Sequence, residues 1–278
     1  MMDQLHEKQS SLLAYLRGLG KTAIAFSGGV DSTFLLKTAY AALGDDVLAI
    51  IGKTVSVPNR EYLEAVSFCR SLGVQHTVIG IDQMSIEGFA DNPPERCYLC
   101  KKALFAAFLK EAASRGFGCV AEGSNMDDLG DYRPGLKALS ELGIRSPLRE
   151  ADLTKADIRA LSRELDLPTW NKPSFACLAT RIPCGEEITE EKLHMVEEAE
   201  ECLFDLGFTQ VRVRHHGEIA RIEVVKEEMT KLLEPDVAMI VTGRLREIGF
   251  RYITVDLDGY RTGSTNPKDT IEEENKRE

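Results

Sequence analysis

Thr22-Ala23-Ile24-Ala25-Phe26-Ser27-Gly28-Gly29-Val30-Asp31-Ser32 is the stretch whose reading decides the fold. Five apolar or small residues make a short buried strand, two glycines make a turn, and the residues from Ser32 to Leu43 read as a helix. Paired glycines let the backbone turn tightly and approach a ligand with no Cβ in the way. Amides of the first helical turn then point outward with the positive end of the helix dipole, which suits phosphate oxygens. Ser27 and Ser32 add hydroxyl donors, and Asp31 is placed to hold a magnesium ion or its water shell. A plain glycine turn would leave two serines and an aspartate around the glycines without a reason.

Strand-like and helix-like runs alternate outward from this point. Leu5, Leu12, Leu13, Leu16 and Leu19 fit one face of a preceding helix. Strands are expected at 47–51, 74–79 and 119–122, with helices at 59–72 and 99–115. Thr154 with Asp157 three residues on is a capping box that starts a helix through Leu165. This rhythm predicts an α/β fold, a doubly wound parallel sheet covered on both faces. Near Pro183 the pattern changes: Thr189 caps a helix with Leu193, Val196, Ala199, Leu203 and Leu206 at three- and four-residue spacing, and alternating strands follow at 209–214 and 219–225, with a last one near 252–257. The expected organisation is a nucleotide-binding domain over 1–183, a smaller α+β domain over 184–265 concerned with substrate or oligomerisation, and a disordered polar tail over 266–278.

The 278 residues are 43% hydrophobic and 28% charged, ordinary values for a globular protein, and the net charge is −11. That charge disfavours nucleic acid, whose affinity comes largely from cations on phosphates. No apolar run approaches the roughly 18 residues of a membrane span, and MMDQLHEKQS lacks the order of a signal peptide. A cytoplasmic location is expected, and a homo-oligomer. Cytoplasmic cysteines stay reduced, so the seven here are read as core residues, ligands or reactive thiols.

Gly20-Lys21-Thr22 and Gly52-Lys53-Thr54 imitate the end of a Walker A loop, but the first glycine of that motif would fall on Tyr15 or Val47. Gly123-Ser124-Asn125-Met126-Asp127-Asp128 follows a later strand and offers Gly123, Asp127, Asp128 and, further on, Arg133 as nucleotide contacts. Cys97-Tyr98-Leu99-Cys100 is placed on a loop entering a helix, and Cys177 sits in a segment with Arg181 four residues on. Three thiolates suit a [4Fe–4S] cluster with one iron left open, a structural zinc would recruit Cys184 as a fourth ligand, and a lone reactive Cys177 is the third option. Cys69, Cys119 and Cys202 fall on apolar positions and read as core. In Val211-Arg212-Val213-Arg214 the alternation puts both guanidinium groups on one strand face, where they suit a phosphate, and His216 continues that face. Arg221, Glu223 and Glu200 are substrate contacts, metal ligands or a surface charge network.

SGGVDS resembles the signature of the N-type ATP pyrophosphatases (PP-loop enzymes), which cleave ATP to AMP and pyrophosphate while adenylylating a substrate. With GSNMDDLGDYRPG, PSFACLATRIPCGE and VRVRHHGEIARIEV, the chain resembles the LarE family from about Leu12 to Tyr260. That resemblance implies an ATP- and Mg²⁺-dependent sulfur transferase that adenylylates pyridinium-3,5-biscarboxylic acid mononucleotide and converts the carboxylate to a thiocarboxylate. It implies ATP contacts at Ser27, Gly28, Gly29, Val30, Asp31, Ser32, Gly123 and Asp127, and the substrate phosphate on Arg212 and Arg214. Arg181 is then expected to steady the acyl-adenylate phosphate. Sulfur would arrive as sulfide or from a carrier by way of a [4Fe–4S] cluster on Cys97, Cys100 and Cys177, or be given up by Cys177 itself. A tRNA thiolase, an ammonia-using synthetase and a non-catalytic nucleotide or iron–sulfur sensor are the competing readings.

Overall fold

The computed structural model describes residues 2–130, 134–173 and 176–261. Its contacts divide the chain into two compact units, Met1–Ile86 with Cys97–Phe175, and Glu87–Arg96 with Ala176–Glu278. Arg133 and the 266–278 tail lie outside the described residues.

In the first unit, α1 (Met2–Leu19) precedes β1 (Thr22–Ala25), α2 (Val30–Leu43), β2 (Val47–Lys53), α3 (Asn59–Leu72) and β3 (Gln75–Gly80). Then come α4 (Arg96–Ser114), β4 (Cys119–Ala121), α5 (Pro134–Glu141), α6 (Pro147–Glu150) and α7 (Lys155–Glu164). The four strands form a parallel sheet in the order β3-β2-β1-β4. Along β2, Val47, Ala49 and Ile51 enter one core with Leu12, Phe34 and Leu161, while Leu48 and Ile50 enter another with Phe105 and Phe108. Both faces are therefore buried, which is why these strands read as continuous apolar runs instead of alternating ones. The sequence β1 to β3 steps one way from β1, and β4 lies on its other side. The carboxyl ends of β1 and β4 thus flank the switch point where open sheets of this class bind ligands.

The second unit holds α8 (Glu190–Asp205), β5 (Val211–His216), β6 (Ile219–Val224), α9 (Met229–Leu232), α10 (Pro235–Ile248) and β7 (Tyr252–Val255). Its sheet runs β5-β6-β7, with β5 and β6 antiparallel and β6 and β7 parallel. Gly217, at φ +59°, turns the hairpin between His216 and Ile219. Val211, Val213, Ile222 and Val224 pack with Leu203 of α8 and Leu245 of α10.

One local expectation is corrected. Cys97 and Cys100 lie inside the first two turns of α4, not on a loop before it. The Pro93–Arg96 turn, closed by the Arg96 amide on the Pro93 carbonyl (2.9 Å), starts the helix earlier than apolar periodicity suggests.

Candidate functional site

Ser27 to Ser32 lie at the carboxyl end of β1 and open α2. Gly28 sits at φ +73°, which favours glycine, and a Cβ there would come within 3.2 Å of the Ala65 side chain. The N-cap residue of α2 is Gly29, so no side chain caps the helix and its first amides face outward with the positive helix end. Ser32 braces the loop from within: its Oγ donates to the Gly29 carbonyl (3.2 Å) and lies 3.0 Å from Ser27 Oγ.

Gly123 brings the loop after β4 against this helix start. An added Cβ would lie 3.0 Å from the Ser32 amide nitrogen and 3.3 Å from Asp31 atoms, so the approach needs a glycine. Asn125 then donates from Nδ2 to Asp31 Oδ1 (3.2 Å), and Lys155 donates from Nζ to Asp31 Oδ2. The Lys155 amide also donates to Asp127 Oδ2 (2.7 Å), and the Asp127 amide to Asn125 Oδ1 (2.9 Å). Asp128 accepts the Asn125 amide (2.9 Å). Behind them the buried Glu122 accepts from Ser124 through both its amide (3.0 Å) and hydroxyl (2.8 Å), and from Ser146 (2.6 Å). The loop after β1, the loop after β4 and the start of α7 thus meet around Asp31.

Lys155 and Asn125 are contributors that sequence reasoning missed as site residues. Thr154 caps α7 with the full capping box, its Oγ1 accepting the Asp157 amide and Asp157 accepting the Thr154 amide. Lys155 therefore occupies the first helical position, where the dipole disfavours a cation. A lysine at that place was the available signal.

Cys97 and Cys100, three apart on α4, share a helical face. Cys100 Sγ lies 3.1 Å from Gln83 Nε2, and Gln83 Oε1 accepts the Ser56 amide (3.1 Å). Gln83 is 3% exposed, so its orientation is fixed by burial. Cys177 belongs to the second unit, directly before the tight helical turn Leu178–Arg181. Its carbonyl accepts the Thr180 amide (3.0 Å), the Thr180 hydroxyl (2.9 Å) and Arg181 Nη1 (3.1 Å). Cys184 is exposed, with Sγ 3.4 Å from the Asn92 carbonyl. Burial pushes the Cys69 thiol up to about 12 and raises Cys119 and Cys202, so these three are protonated packing residues at neutral pH. Among the described residues, no group of three or more His, Cys, Asp or Glu side chains gathers within either unit as a metal site.

In the second unit the arginines expected on a strand face are buried. Arg214 lays its fork on Glu223 (3.0 and 2.9 Å) and reaches the Thr180 carbonyl (2.9 Å). Arg181 does the same to Glu200 (2.8 and 2.9 Å), and Glu200 also accepts the Val213 amide (2.9 Å). Glu223 has a second arginine, Arg221 (3.1 Å), which in turn holds Asp256 (2.7 Å). Arg212 donates to the Val211 carbonyl (2.7 Å) and lies over the Tyr260 ring, 5.1 Å from its centroid. Burial, then the neighbouring Arg181 charge, lowers the Arg212 guanidinium to about 10. Among the described residues of this unit, three buried arginines, Arg181, Arg212 and Arg214, accompany two buried glutamates, Glu200 and Glu223. Glu200 and Glu223, expected as metal ligands, have both oxygens engaged by arginine. His215 and His216 continue the strand, and burial lowers the pKa of each.

A parallel sheet with a glycine loop at the switch point, and a second small α+β unit, define a PP-loop α/β protein. No protein-family profile matches the chain. It is 39% identical over 266 residues to pyridinium-3,5-bisthiocarboxylic acid mononucleotide synthase of Lactiplantibacillus plantarum, covering 95% of this chain and 96% of that one. It is also 39% identical to an uncharacterized protein of Synechocystis sp., over 94% of this chain and 98% of that one. A component of the glutamine-hydrolyzing GMP synthase of Methanococcus vannielii is 28% identical over 64% of this chain and 61% of its own. The chain belongs to the LarE family of pyridinium-3,5-bisthiocarboxylic acid mononucleotide synthases. No helix among the described residues is long and apolar enough to cross a membrane.

Proposed function

We propose that this chain is an ATP-dependent sulfur transferase acting on pyridinium-3,5-biscarboxylic acid mononucleotide. The observation that carries the reading is the uncapped start of α2 at the switch point, with Asp31 gripped by Lys155 and Asn125 beside it. Amides of 28–32 and the Lys155 ammonium offer fixed donors for the β- and γ-phosphates of ATP, with Ser27 and Ser32 bracing them. Asp31 and Asp127 are the carboxylates for the Mg²⁺ that accompanies ATP. A carboxylate oxygen of the substrate attacks the α-phosphorus, pyrophosphate leaves, and an acyl-adenylate forms. Hydrosulfide then adds at the acyl carbon, and AMP leaves with the C–O electron pair. The products are a thiocarboxylate, AMP and a proton.

The neighbouring charges of Arg212 and Arg181 support the substrate phosphate there, because an anion would relieve their mutual repulsion. Arg181 serves the acyl-adenylate end of the reaction through the Cys177 segment that it holds. For sulfur, Cys97 and Cys100 form a two-thiol face with the Gln83 amide 3.1 Å from Cys100, and cysteine sulfurs are the usual ligands of iron–sulfur clusters. Cys97, Cys100 and Cys177 would hold a [4Fe–4S] cluster, which supplies an iron able to carry sulfide. The reading sets the enzyme in the cytoplasm as a homo-oligomer, fed by sulfide or a sulfur carrier. The test is pyrophosphate release from ATP with the mononucleotide, with sulfide present. Release that requires the pyridinium carboxylate is the expected result. Release with no such requirement, or with tRNA instead, would sink the reading.

A further inference from the structure

Lys172 Nζ donates to three oxygens at once: Glu61 Oε2 at 2.6 Å, Glu64 Oε2 at 2.7 Å and the Gly28 carbonyl at 3.3 Å. The first pair is well shielded, with 13% of the lysine side chain and 10% of the Glu61 side chain exposed. Two of the oxygens belong to α3 and one to the phosphate loop, so one ammonium ties the loop to a helix. Gly28 also lies close on α3, where an added Cβ would come within 3.2 Å of Ala65, so the tether acts beside a packing contact. Gly28 lines a cavity of about 530 Å³ whose walls include Thr33, Glu61, Phe68, Asn171 and Lys172.

The contact also sets a direction. In a trans peptide the C=O and the following N–H point to opposite sides. An ammonium on the Gly28 carbonyl therefore turns the Gly29 N–H away from Lys172. That N–H is directed at Ser27 Oγ, 3.5 Å away, a contact long enough for a phosphate oxygen to displace it. Gly28, at φ +73°, has no side chain of its own to hold that peptide. We infer that Lys172 is a positioning residue of the phosphate loop: its ammonium, neutralised by Glu61 and Glu64, fixes the Gly28–Gly29 peptide so that the Gly29 amide faces the pyrophosphate portion of ATP. This rests on the ATP-binding reading above. Lys172 is five residues before Cys177 in the chain, so the segment that leads to the cysteine also carries the tether.

The experiment measures direct binding of ATP, pyrophosphate and AMP, with Tm alongside, for the parent and for Lys172→Met/Glu61→Gln. The double substitution removes the tether together with the buried carboxylate charge that it neutralises. ATP and pyrophosphate should each bind about tenfold more weakly, the order expected for a charged hydrogen bond, while AMP stays within about twofold. A folded double variant that binds ATP and pyrophosphate like the parent overturns the inference. So does one that loses AMP equally, since that is a general loss of structure. Should the double variant not fold, Lys172→Gln/Glu61→Gln is read by the same three ligands: it keeps a neutral hydrogen-bonding pair between this segment and α3 but removes the ammonium from the Gly28 carbonyl. Unchanged ATP and pyrophosphate binding there counts against the inference in the same way. A parent chain that binds neither ATP nor pyrophosphate would instead overturn the nucleotide reading itself, and the inference with it.

Discussion

Arg181 and Glu200 form a two-bonded ion pair at 2.8 and 2.9 Å, with 1% and 5% of their side chains exposed. Removing one partner of a buried pair strands the other charge. Glu200→Ala should cost about 3–5 kcal/mol, read by chemical denaturation of the second unit. Glu200→Gln, which keeps one acceptor oxygen, should cost less. A loss below about 1 kcal/mol for Glu200→Ala would mean that the pair does not hold the fold.

Asp31 and Lys155 should fail together in catalysis. Asp31→Ala and Lys155→Met should each lower substrate-dependent pyrophosphate release at least about a hundredfold, the order for one preorganised electrostatic group. Circular dichroism and Tm would establish that both variants fold. Parent-like release from either removes that residue from the nucleotide site.

How much of this site the sequence disclosed depends on the range of the interaction. SGGVDS and the Thr154–Asp157 capping box are local devices, and the structure contains the loop and the box where the residues placed them. The Arg212/Arg214 alternation was legible as a shared face, but not the burial of that face. That burial depends on Glu200, Thr180 and Glu223, partners drawn from a helix, a turn and a neighbouring strand. The Lys155 contact with Asp31 spans 124 residues, and no local pattern encodes it. The early start of α4 was hidden because Cys97 and Cys100 resemble loop ligands as readily as residues of a helix's first two turns.

Gly123→Ala tests the close approach of the two nucleotide loops. A methyl group 3.0 Å from the Ser32 nitrogen forces one of the loops to move. Overpacking of this kind costs about 1–3 kcal/mol, and ATP affinity should fall along with Tm. An alanine variant with unchanged ATP binding would show that the loops need not touch.

Stability should depend on His215 and His216. Burial lowers both, so the folded chain holds them neutral while the unfolded chain takes up protons near the ordinary value of about 6.5. Their contribution is therefore complete above about pH 6.5 and is lost as pH falls through that value towards the lowered folded pKa. Charged groups around them are Lys192, Glu186, Arg221, Arg214 and Glu223. Between about pH 7.5 and about pH 5.5, a range that brackets the ordinary histidine pKa, Tm of the parent should fall more steeply than that of His215→Gln/His216→Gln. Parallel slopes would exclude the histidines.

The cysteines separate the two sulfur routes. Protein made without oxygen should be brown and contain iron and sulfide, and Cys97→Ala, Cys100→Ala and Cys177→Ala should each lose colour and sulfur transfer together. Iron-free protein that performs one turnover and becomes lighter by one hydrogen sulfide at Cys177 would establish the sacrificial route instead.

The manner in which Arg181 holds Cys177 has a consequence for how this position tolerates change. The guanidinium binds the carbonyl oxygens of Ala176 (2.8 Å) and Cys177 (3.1 Å), so the grip is on the main chain and never on sulfur. A main-chain handle is blind to the side chain mounted on it. Alkylated or metal-bound at sulfur, residue 177 keeps the same carbonyl for the same cation. A change made on the sulfur alone therefore leaves both of these main-chain hydrogen bonds with their partners.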